Sequence, residues 1–156
     1  EALDGIVDIF LPDFKYISSE MAARYSNAPD YPEIAKRALA QMVKQTGDAK
    51  FDERDMMKRG VIVRHLILPG HIKESKEAIR YLYETYGDQI YISIMNQYTP
   101  MPGIEKRFKN LGRTITQKEY DEVVDYAIDL GVENGFIQEG ETAKESFIPQ
   151  FDDTGL

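Results

Sequence analysis

The 156-residue chain contains no cysteine and only two histidines. Without cysteine it can form no disulfide framework, and these residues hold no thiolate for zinc or an iron–sulfur cluster. Two histidines are too few for a histidine-rich metal site, and no Gly-x-Ser-x-Gly segment occurs from which a hydrolase triad could be built. The glycine loops of nucleotide-binding proteins, G-x-G-x-x-G and Walker A, are also missing. No apolar run reaches the roughly 18 residues that span a bilayer. The opening "EALDGIVDIF" lacks the basic n-region and cleavage site of a signal peptide. Positive charge is scarce: 19 Lys and Arg stand against 27 Asp and Glu, for a net charge of -8. Such a surface repels a phosphate backbone, so no nucleic-acid partner and no membrane association are expected. The two most basic windows, "KRALAQMVK" and "EKRFKNLGR", read as solvated faces, and the cytoplasm is the expected compartment.

What is present is an ordinary globular composition, 42% hydrophobic and 29% charged, in a length that suits one domain with a real core. Residues 5–11, "GIVDIFL", are rich in β-branched and aromatic side chains and bounded by Gly5 and Pro12, which predicts a strand. "SSEMAARYS" opens with the serines and glutamate of a helix start. "YPEIAKRALAQMVKQTG" predicts a second helix, with Ile34, Ala35, Ala38, Leu39 and Met42 inward and Gly47 as its stop. The polar "DAKFDERDMMKRG" reads as a loop or short hairpin. A strand over 61–68, "VIVRHLIL", is followed by the helix "KESKEAIRYLYETYG" with Ala78, Ile79, Leu82 and Tyr86 inward. A third strand over 89–95 breaks into the turn-rich "NQYTPMPG". Thr116 and Glu119 have capping-box spacing at the head of the next helix, which Gly131 ends. "GFIQ" is a short fourth strand ahead of a polar tail.

Near-continuous apolar strands alternating with amphipathic helices predict an α/β fold with parallel strands and outer helices. Four such units make about half of a (β/α)8 barrel, which needs about 250 residues. The expected fold is therefore a partial (incomplete) TIM-type β/α barrel, one domain over 1–156, with an open doubly wound sheet as the competitor. A chain that opens at Glu1 almost inside a strand reads as a fragment whose amino-terminal half is elsewhere.

In parallel α/β folds, active sites lie at the carboxyl ends of the strands. Asp13 and Lys15 follow the first strand, Gly70 and His71 the second, Asn96, Gln97 and Tyr98 the third, and Gln138 the fourth. If alternation continues past Pro12, Asp13 and Lys15 share a face and could pair, or bind a zwitterion together. Arg64, inside an apolar strand, needs either a structural carboxylate partner or a ligand. His65 reads as a hydrogen-bonded core histidine, and Gln97 and Tyr98 as substrate-facing or ordinary loop residues.

Several phrases together resemble one family: "GIVDIFLPDFKY", "AARYSNAPDYPEIAKRALAQM", "RGVIVRHLILPGH", "ISIMNQYTPM" and "NGFIQ…FIPQFDDTGL". They are similar to the carboxyl-terminal half of radical S-adenosylmethionine proteins, of the group described as pyruvate formate-lyase activating enzyme-like. The resemblance implies a partial (β/α)6 barrel and a 4Fe-4S cluster held by a Cys-x3-Cys-x2-Cys loop. It also implies reductive cleavage of S-adenosylmethionine to a 5′-deoxyadenosyl radical, an oxidoreductase chemistry. Its partners would be a glycyl radical enzyme as protein substrate and flavodoxin or ferredoxin as electron donor. Neither the cysteine loop nor the family's Gly-Gly-Glu segment is in this chain; both belong to earlier strands, so the fragment alone is expected to be inactive. By the same resemblance, Asp13 and Lys15 would bind the methionyl end of S-adenosylmethionine, His71 would contact that cofactor, and Arg64 would lie near cofactor or substrate. Two other readings stand beside it. One is a Schiff-base aldolase-like barrel using Lys15, which a neighbouring Asp13 disfavours. The other is a noncatalytic interaction half-barrel that pairs through exposed strand edges.

Overall fold

The structure, a computed structural model, describes residues 4–137. Along them lie five strands and five α-helices: β1 (Ile9–Phe10), α1 (Ser19–Ser26), α2 (Tyr31–Thr46), β2 (Lys50–Phe51), β3 (Met57–Leu66), α3 (Ile72–Tyr86), β4 (Tyr91–Met95), α4 (Ile104–Arg107), α5 (Gln117–Leu130) and β5 (Gly135–Ile137). The sheet order is β1-β3-β4-β5, with every neighbouring pair in it parallel. The order follows the chain and never reverses. The described strands therefore contain no topological switch point of the kind an open doubly wound sheet has.

Alternation along the strands separates two faces. Val61, Val63 and Ile67, with Ile92 and Ile94 of β4, form one cluster with Leu39 and Val43 of α2, Ala78, Ile79 and Leu82 of α3, and Tyr120, Val123 and Ala127 of α5. Three amphipathic helices thus bury their stripes against one side of the sheet. The alternate positions, Ile62, Arg64 and Leu66 of β3 and Tyr91, Ser93 and Met95 of β4, are only half-buried. This second face is not covered by the core-forming helices.

Boundaries differ from the sequence expectation in instructive ways. The first strand is two residues long rather than seven, because Gly5 sits at φ +76 in a turn. Its pairing continues past Pro12, however: the Arg64 amide donates to the Pro12 carbonyl and the Phe14 amide to the Arg64 carbonyl, both at 2.9 Å. β3 begins four residues earlier than expected, since residues 50–57 close a hairpin in which β2 runs antiparallel to its start. The inner stripe of α2 is also rotated. Leu39, Val43 and Thr46 are buried, whereas Ile34 is 48% exposed and Ala38 is exposed. The helix leans on β3, leaving Ile34 and Ala38 beside Pro12 at the β1 edge of the sheet.

The head of α5 shows how local chemistry holds the rim. The Thr116 side chain accepts from the Glu119 amide while the Glu119 carboxylate accepts from the Thr116 amide, completing the capping box. The same carboxylate accepts from Arg113 and from the Gly70 amide, 2.8 Å away in the Pro-Gly turn after β3. The Arg113 guanidinium first, then these amide bonds, hold the Glu119 carboxyl far below the usual carboxylate range. Glu119→Ala removes all of these partners at once and is expected to cost about 1–3 kcal/mol, read from the midpoint of urea denaturation. Glu119→Gln is expected to lose less, because its amide can still serve the cap.

Candidate functional site

Because β1, β3 and β4 are parallel, the segments that follow them converge on one rim. Asp13 and Lys15 come from β1, His71 from the turn after β3, and Gln97 and Tyr98 from the segment after β4. Gln138 lies outside the described residues.

One rung crosses the open face: Asp13 bridges to Arg64, Arg64 is in register with Ser93, and Ser93 with Phe136. On this rung the Arg64 guanidinium donates to the Asp13 carboxylate at 2.7 Å, and the Lys15 ammonium lies 3.8 Å from the other carboxylate oxygen. All three side chains remain partly open, at 43%, 39% and 54% exposure. One carboxylate between two cations leaves a local net positive charge in an acidic chain. Arg64 also holds a buried Nε–H with no hydrogen-bond partner among the described residues. The exposed Lys15 ammonium and the open part of the Arg64 guanidinium can meet an incoming carboxylate, and Asp13 can meet an ammonium group. The geometry suits a zwitterion. Ser93 carries no signal in the sequence beyond its parity with Arg64; only the strand register places it here.

His71 stands at the amino end of α3 without a side-chain capping bond; its Nε2 is 2.7 Å from the Tyr25 hydroxyl and its ring edge-on to Tyr25 at 5.3 Å. Tyr25 in turn meets Phe108 edge-on at 4.8 Å. Burial, aided by the nearby Arg24, pushes the His71 pKa below its ordinary value, against an opposing pull from Glu74. Tyr25 therefore occupies one of the two His71 ring nitrogens, a partner that sequence spacing gave no reason to expect. The Tyr98 hydroxyl donates to the Leu111 carbonyl at 2.9 Å, and burial first, then the neighbouring Tyr16 and Tyr25 phenols, raises its pKa. Gln97 is half-buried beside it. Tyr25 thus joins His71 and Phe108 in one aromatic cluster, with the Tyr98 and buried Tyr16 phenols near enough to act on one another.

His65 points into the helix-covered side, 1% exposed, with Nδ1 2.7 Å from the Phe14 carbonyl. A carbonyl only accepts, so Nδ1 carries the proton in the neutral ring. This is the hydrogen-bonded core histidine expected from the sequence. Lys15 sits on the partly open face against Asp13, not in the desolvated apolar pocket that activates a Schiff-base lysine.

The chain is 30% identical over 125 residues to the uncharacterized protein MJ0674 of Methanocaldococcus jannaschii. The match covers 80% of this chain and 32% of that protein, so the chain spans about a third of the length of the curated relative it matches. No protein-family model and no solved structure matches the chain. No helix of the described residues is long and apolar enough to cross a membrane.

Proposed function

We propose that the chain is the carboxyl-terminal part of a radical S-adenosylmethionine protein, a partial β/α barrel whose open sheet face is the inner wall. The observation that carries this reading is the Asp13–Arg64–Lys15 cluster, an acid between two cations on the uncovered face, suited to the zwitterionic end of an amino-acid cofactor. Sheet order supports the barrel: successive parallel strands are adjacent, and the core-forming helices pack on one side.

The residues present fit S-adenosylmethionine as a ligand. Asp13 would hold the methionyl ammonium, while the exposed Lys15 ammonium and Arg64 guanidinium would hold its carboxylate. His71, Tyr25 and Tyr98 would line the rim beyond. The 4Fe-4S cluster requires cysteines from the rest of a longer polypeptide, and when bound it supplies the electron for reductive cleavage to the 5′-deoxyadenosyl radical. This chain's own task is to bind, orient and shield the cofactor. The reading extends to an activating oxidoreductase that draws a hydrogen atom from a glycyl radical enzyme, with flavodoxin or ferredoxin as donor.

The test is anaerobic reconstitution of the native polypeptide from its source cells with iron and sulfide, followed by reduction with dithionite in the presence of S-adenosylmethionine. Release of 5′-deoxyadenosine is expected, with Asp13→Ala lowering S-adenosylmethionine affinity by about tenfold or more. A native polypeptide without a three-cysteine loop, or one that releases no 5′-deoxyadenosine, sinks the reading.

A further inference from the structure

The strand end that carries Asp13 and Lys15 is held by side chains from three other elements. On its outer side the Tyr31 hydroxyl, at the start of α2, donates to the Asp13 carbonyl and accepts from the Lys15 amide, each at 2.9 Å. On its inner side His65 Nδ1 donates to the Phe14 carbonyl at 2.7 Å. Just beyond, the Glu74 carboxylate accepts from the amides of Ile17 and Ser18, both at 2.8 Å. Three consecutive residues, 13 to 15, therefore have backbone groups gripped by tyrosine on one side and histidine on the other. Among the described residues, the ladder at β1 has a partner only in β3. Edge groups at positions 13 and 15, which would otherwise face water, are taken by one phenol. Tyr31 itself is fixed by its ring, which packs edge-on to Tyr16 at 5.6 Å.

We propose that Tyr31 and His65 are positioning residues that hold residues 13–15 extended, so that the Asp13 carboxylate and Lys15 ammonium stand on one face at the spacing a zwitterionic ligand needs. This rests on the cofactor reading above. Neither residue touches the ligand; each acts through the backbone. In an extended strand, side chains two apart share a face only while the backbone between them keeps its dihedrals. Release of the outer grip lets Lys15 swing away from Asp13, and the entropy of re-ordering it then opposes binding.

The test is made in the native longer polypeptide with Tyr31→Phe, which keeps the ring and its packing and removes only the hydroxyl. Two readouts are taken. Amide hydrogen exchange at Lys15 is expected to be at least about tenfold faster in the variant, because its acceptor is gone. S-adenosylmethionine affinity, measured by isothermal titration, is expected to fall by about tenfold. Tyr31→Phe is expected to cost less affinity in a Lys15→Ala background than in the wild type, since the clamp acts through Lys15 as well as through Asp13. Unchanged exchange at Lys15 overturns the clamp outright. Faster exchange with unchanged affinity, or with additive losses in the double variant, overturns its positioning role. A wild-type protein that binds no S-adenosylmethionine overturns the cofactor reading instead, and with it the positioning role, while exchange at Lys15 still decides whether the grip exists.

Discussion

Phe14→Ala is expected to cost about 3–5 kcal/mol of stability, the largest loss of any single side chain near the site. Phe14 is 2% exposed and belongs to the central core cluster. Its ring stacks on Tyr81 of α3 at 5.7 Å with an interplanar angle of 17°. Truncation removes the ring's transfer free energy and leaves a cavity between β1, β3 and α3 that their rigid backbones cannot close. Phe14 is also the residue between Asp13 and Lys15, so the same cavity frees the strand end that presents them. Phe14→Leu keeps most of the volume and is expected to lose much less, about 1 kcal/mol. Urea denaturation of both variants checks the ordering: similar midpoints would mean that the ring does not anchor this edge. Ligand affinity should follow stability in this pair, whereas Tyr31→Phe is expected to weaken binding at nearly unchanged stability.

The second large effect is acid destabilisation through His65. Burial pushes its pKa below the ordinary histidine value, opposed more weakly by its bond to the Phe14 carbonyl and by Glu74. The ring is fully enclosed. Nδ1 already carries a proton, and Nε2 has no hydrogen-bond partner among the described residues. A second proton would bury a charge with nothing to receive it. In the unfolded chain the same ring titrates near its usual value of about 6.5. Above that pH both states are neutral and the stabilisation is fully present. As the pH falls below it, the unfolded state takes up a proton that the folded state refuses. Stability then falls with a slope approaching about 1.4 kcal/mol per pH unit, down to the lower folded pKa. His71 adds to the loss in the same direction, since burial also depresses its pKa. His65→Asn keeps a donor for the Phe14 carbonyl and removes the titration. It should flatten the dependence of the urea midpoint below about pH 6.5, leaving the contribution of His71. An undiminished slope in His65→Asn would place the acid sensitivity elsewhere.

What could be read from the sequence was whatever depends on neighbours along the chain. The alternation of strands and helices follows from β-branched runs and 3.6-residue stripes, both local patterns. The capping box at Thr116 and Glu119 is visible because cap and box residue lie three apart. Gly47, Gly87 and Gly131 end their helices at positive φ, which a glycine in that position announces. The inner stripe of α3 was legible for the same reason: Ala78, Ile79 and Leu82 are all buried against the sheet, while Tyr86 packs edge-on to Tyr81 at its margin. The convergence of Asp13, Lys15, His71 and Tyr98 on one rim followed once the strands were read as parallel, because parallel strands end on the same side.

The rest required partners distant in sequence. Asp13 is bridged to Arg64, 51 positions away, by strand register, and nothing local distinguishes that pairing from Arg64 with some other carboxylate. Tyr25 reaches His71 across 46 residues, Glu74 reaches Ser18 across 56, and Glu119 reaches Gly70 across 49. Each is a long polar side chain whose partner is set by how helices seat on the sheet. The rotation of α2 belongs to the same class: its apolar stripe is broad enough to sit several ways, and contact with β3 selected Leu39 and Val43 over Ile34 and Ala38. Which elements form, and which end of the sheet bears ionisable groups, follows from propensity and parity, which act over a few residues. Which of those groups pair follows from packing alone, because a hydrogen bond depends on distances of a few ångströms that loop closure and helix seating set.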